Sequence, residues 1–114
     1  LSLHNTETAE YLDAPTDEGK TYRGLAERVF QILSTQTSFA PTRETLYPPK
    51  ANAAEKRGRM TVASGLYASF GIPAFLMEQK IAYNQKLGHF PNIPDRLRFG
   101  SELVRALALA VQEK

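Results

Sequence analysis

The chain contains no cysteine. That excludes disulfides, thiolate metal ligands and a cysteine nucleophile, and it leaves the redox compartment open. No apolar run approaches the roughly 20 residues that span a bilayer, so no membrane association is expected. The N-terminus lacks the basic and apolar regions of a secretory signal. A secreted or periplasmic location would therefore need a signal upstream of Leu1. Charge of one sign is scarce too. The net charge is only +2, and the densest basic cluster is Lys56, Arg57 and Arg59. Phosphate backbones are held by clustered Lys/Arg footprints, so nucleic acid is not an expected partner.

What is present is the composition of a globular chain, with 42% hydrophobic and 23% charged residues. A length of 114 residues fits one domain or part of one. Leu1 to His4 read as a short strand, and residues 8–12 as its extended continuation. "APTDEG" then supplies a turn and a helix start, with Thr16 as N-cap and Asp17 and Glu18 at the positive end of the dipole. Tyr22, Leu25, Ala26, Val29, Phe30 and Leu33 recur at spacings of three and four, which predicts an amphipathic helix over 17–35.

Residues 36–58 hold three prolines and one strand-like piece, "RETLY". A loop of that length is usually functional or mobile. Met60, Ala63, Leu66, Tyr67 and Phe70 fit a short helix stopped by Gly71, with Tyr67 in the core. The apolar run 73–77 reads as a strand ended by Glu78, and residues 94–112 as a helix patterned by Leu97, Val104, Leu107, Ala108 and Val111. This order predicts an α/β fold: a mixed or parallel sheet flanked by helices.

Two ionisable residues close apolar strands, His4 and Glu78. In open α/β sheets, ligands gather beyond the carboxyl ends of strands. A neutral imidazole suits Zn²⁺, and a carboxylate beside it suits a general base. The alternative is a solvated terminal histidine and the first exposed residue of a turn.

The order "LSLHNTETAEYLDAP", helix, "TSFAPTRETLY", strand "PAFLMEQ" and closing helix resembles the C-terminal part of zinc carboxypeptidases of the carboxypeptidase A type. The resemblance runs from residue 1 to about 112, as order and spacing rather than as one long motif. It implies that 1–114 is a partial domain from a peptidase-like catalytic domain. It further implies that His4 is the third zinc ligand, that Glu78 activates water for hydrolysis of a peptide or amide bond, and that Tyr47 is the mobile-loop tyrosine that contacts substrate.

The chain departs from the family pattern in two respects. The family's HxxE ligand pair and its carboxylate-binding arginines have no counterpart before His4, so the zinc would need ligands this chain does not carry. His4-Asn5-Thr6-Glu7 is formally HxxE, but it would serve only with a turn at 5–6.

Arg59 is the basic residue that could hold a substrate carboxylate, as guanidinium forks do. Its alternative is a solvated basic turn beside Gly58. His89 and the arginines 96, 98 and 105 read as surface residues. An incomplete sheet would leave Leu1 to Leu3, Phe75 and Met77 short of packing, which predicts association with an upstream portion or with another copy. The competing function is a non-catalytic α/β binding module that keeps the fold without a complete metal site.

Overall fold

The computed structural model describes residues 1–14, 20–47 and 62–112. The expected helix start at Thr16, Asp17 and Glu18, the basic cluster Lys56, Arg57 and Arg59, Met60 and the side chain of Tyr22 lie outside the described residues. The elements run β1 (Ser2–Thr6), β2 (Tyr11–Asp13), α1 (Lys20–Gln36), α2 (Val62–Phe70), β3 (Leu76–Lys80) and α3 (Ile93–Gln112). The strands form a three-stranded mixed sheet in the order β1-β3-β2, with β1 parallel and β2 antiparallel to β3. This is the α/β class expected from the pattern of elements.

Side chains alternate across a sheet, and here the alternation separates two chemistries. One face carries Met77 and Leu12, both fully buried with Phe75 in a core that also takes Ala26, Val29, Ile32 and Leu33 of α1 and Phe99, Leu103, Ala106 and Ala110 of α3. Phe75 and Met77 are thus packed, against expectation. Leu3 shares a face with Met77 by register, yet it is 55% exposed. The helical cover stops short of β1, as the expectation for Leu1 and Leu3 required.

His4 and Glu78 do not end their strands. β1 continues to Thr6, and β3 begins at Leu76 and runs to Lys80. Polarity does not terminate a strand; the loss of ladder partners does. Here the pairing even continues past β3, with Ile81 and Ala82 donating to the carbonyls of Thr6 and Glu7.

The apolar pattern of α3 also resolves differently. Leu97, Val104 and Val111 are 68–72% exposed, and Ala108 is exposed with them. The core face is Phe99, Leu103, Ala106 and Ala110. Both sets satisfy a helical period, so spacing alone could not choose between them. Arg98 and Arg105 are exposed as expected, whereas Arg96 is half-buried and donates to the Lys80 carbonyl at 3.0 Å.

Long-range polar contacts fix the loops. Glu10 is buried, and its carboxylate accepts from the backbone N–H groups of Ala40 (2.9 Å) and Lys80 (3.2 Å). Burial raises its pKa, and those two hydrogen bonds with the charges of Lys80 and Arg96 oppose the shift. Lys86 Nζ donates to the carbonyls of Ser34, Thr37 and Phe39. It thereby places a cation at the negative end of α1, whose last turn has no basic residue of its own.

Asn92 and Asp95 cap α3 reciprocally. The Asn92 side chain accepts from Asp95 N–H (3.0 Å), and Asp95 Oδ2 accepts from Asn92 N–H (2.9 Å). His89 lies 2.8 Å from the same oxygen, so it is more than a free surface residue. Gly71 ends α2 in the left-handed region at φ 65°, its N–H bonded to the Tyr67 carbonyl at 2.8 Å. Tyr67 packs against the core as expected.

Candidate functional site

The sheet face opposite α1 and α3 carries a polar row beside the apolar Leu76. His4 on β1 is the register partner of Glu78 on β3, and Glu78 is in turn the partner of Tyr11 on β2. An imidazole, a carboxylate and a phenol therefore form one row across three strands, with neighbours about 4.8 Å apart in backbone spacing. Ser2 and Asp13 share this face, two residues along from His4 and Tyr11.

His4 is exposed, and its Nε2 lies 3.0 Å from Ser2 Oγ. Glu78 is half-buried, and its Oε2 is shielded from solvent without a hydrogen-bond partner. A buried carboxylate oxygen left unpaired is costly, and such groups cluster at functional sites. Burial raises the pKa of Asp13, and the charge of Glu78 raises it further. Asp13 thus sits in an unfavourable environment to which Glu78 contributes.

Tyr47 lies elsewhere. Leu46 bridges Asp13, which puts Leu46 on the polar face and sends Tyr47 to the other side. There it packs against the core, its ring covered by the Arg23 guanidinium at 4.5 Å. With Arg23, Glu27, Phe30 and Gln31 it lines a cleft of about 320 Å³. Burial pushes its phenol above the usual range, Glu27 adds to this, and Arg23 opposes it. The structure therefore brings His4 and Glu78 together and leaves Tyr47 apart, while Arg59 is outside the described residues.

Tyr11 and Asp13 were not read as site residues. The alternation in "EYLD" was available in the sequence. The antiparallel register that brings Tyr11 beside Glu78 was not.

A catalytic zinc ordinarily takes three protein ligands. Among the described residues no group of three His, Cys, Asp or Glu side chains could hold a metal ion. These residues supply one imidazole donor and carboxylates, and at most part of a zinc site. Among the described residues, no helix is long and apolar enough to cross a membrane. Comparison with known proteins gives no match to a family model, a curated protein or a solved structure.

Proposed function

We propose that this chain is the C-terminal part of a zinc carboxypeptidase-like hydrolase, in which His4 is a metal ligand and Glu78 the general base for cleavage of a peptide or amide bond. The observation that supports this reading most is the row itself. An exposed imidazole stands beside a carboxylate whose buried oxygen has no partner, on neighbouring parallel strands.

Bound zinc would polarise a carbonyl and acidify water. Glu78 would take a proton from the attacking water as its oxygen adds to the carbonyl carbon. It would then deliver that proton to the nitrogen as the C–N bond breaks. The remaining ligands would come from an upstream portion or another copy. Among the described residues β1 is an edge strand, and with the exposed Leu1 and Leu3 it is suited to pair with either.

Zinc titration tests the ligand role. His4→Ala should weaken zinc binding by about tenfold or more, in line with the loss of one ligand interaction, and unchanged affinity overturns the assignment. In the chain joined to its upstream sequence, Glu78→Gln should abolish hydrolysis and retain zinc. The second reading, a binding module without catalysis, is favoured by the absence of a three-ligand group among the described residues. It predicts no hydrolysis from the joined protein.

A further inference from the structure

The buried polar side chains gather at one place. Glu10, Gln79, Asn84 and Asp95 are each at most 9% exposed, and all four line one cavity of about 10 Å³ together with Ser38 and Arg96. They come from the approach to β2, the end of β3, the loop after β3 and the first turn of α3.

Most of their hydrogen-bonding capacity is used. Both Glu10 oxygens accept backbone N–H groups. Asn84 donates to the Ser38 carbonyl at 2.9 Å and accepts from the N–H groups of Lys86 and Leu87. Gln79 is the exception. It shares the helix-facing side of β3 with Met77, two residues earlier, and its side-chain amide makes no hydrogen bond among the described residues. Asp95 is half used: Oδ2 accepts from Asn92 N–H and meets His89, while Oδ1 accepts nothing among the described residues. Arg96 spends Nη2 on the Lys80 carbonyl and keeps its other N–H groups. A desolvated amide without a partner is costly, so a partner is needed from within the cavity.

Size and charge define what fits. About 10 Å³ is the room one water molecule needs and too little for a larger ligand. A cation would gain Glu10 and Asp95 but meet the Arg96 guanidinium. An anion would gain Arg96 but meet both carboxylates. Water is neutral, donates twice and accepts twice, and so suits an amide, a carboxylate oxygen and a guanidinium together.

We infer that one water molecule is a fixed part of this fold, bound between Gln79, Asp95 and Arg96. It donates to Asp95 Oδ1, accepts from Arg96 and exchanges a hydrogen bond with the Gln79 amide. It thereby ties the end of β3 to the start of α3 through the residue next to Glu78, from the side of the sheet opposite the His4–Glu78 row. The water site does not depend on the hydrolase reading.

Water–protein NOE spectroscopy on the isotope-labelled chain tests this. The Gln79 side-chain amide protons should show a water cross-peak with the sign of a long-lived buried water, opposite to that of surface hydration. The measurement is repeated in Ser38→Ala, because a hydroxyl on the cavity wall can relay exchange with solvent. A resolved Gln79 amide without the cross-peak, or a cross-peak lost in Ser38→Ala, overturns the inference. Relaxation dispersion of the water oxygen nucleus gives a second readout. Gln79→Met, close in length and without the amide, should hold one long-lived water fewer than the native chain. An unchanged count in a natively dispersed variant overturns the site. Replacing Na⁺ by K⁺ or ammonium should leave the Gln79 and Asp95 resonances in place. A saturable shift with either ion overturns the water assignment in favour of a monovalent cation.

Discussion

His4 and Glu78 are register partners on parallel strands, with the imidazole exposed and one carboxylate oxygen of Glu78 shielded and unpaired. The pair is poorly arranged for stability, because the shielded oxygen has given up water without gaining a donor.

Replacing that carboxylate should therefore stabilise the fold. Glu78→Met is expected to raise unfolding free energy by about 1 kcal/mol, the gain from removing an unsatisfied buried acceptor. Glu78→Gln should also lower the pKa of Asp13 by removing the second cause of its rise, while burial continues to hold it up. Urea unfolding checks the first outcome and carboxyl-carbon NMR titration the second.

Glu10 makes the opposite case, a buried carboxylate with its acceptors used. Glu10→Gln leaves one of the Ala40 and Lys80 N–H groups facing an amide donor, at a cost of about 1–3 kcal/mol. The folded pKa of Glu10 is raised, so the native state holds its proton more tightly than the unfolded chain. Its protonation-linked stability is fully present below the ordinary glutamate range and declines as pH rises through the raised value. Denaturation of the native chain and Glu10→Gln across acid to neutral pH should show that slope only in the former.

Asp95 has the reverse sign. Asn92 N–H, first, and then His89 hold its carboxyl below the usual aspartate value. That stability is present above the ordinary aspartate range and is lost as pH falls through the depressed value. Asn92→Ala should cost about 1 kcal/mol, the usual worth of an N-cap. His89→Ala should raise the Asp95 pKa in an NMR titration.

The two apolar stripes of α3 separate by mutation. Leu103→Ala opens the core and should cost about 2–4 kcal/mol. Val104→Lys, one residue away and 69% exposed, should change stability by less than about 0.5 kcal/mol. Thermal unfolding of the two variants decides which stripe faces the core.

Much of the fold was legible from local physics. Gly71 ends α2 because a left-handed residue must follow the last turn, and Val29 and Leu33 face the core because a 3.6 period leaves them no other side. The candidate site was legible only as two residues. His4 and Glu78 could be named from their place in apolar runs, but their alignment depends on a parallel register between segments more than 70 positions apart.

The sequence by itself determined the periods: which segments are helices and which are strands. Only the tertiary structure decided the partners. It chose Phe99 and Leu103 over Leu97 and Val104, because two stripes of equal period differ only in what packs against them. It set Tyr11 beside Glu78 and sent Tyr47 to the opposite face, because register and loop anchoring arise from hydrogen bonds between residues that no local pattern links.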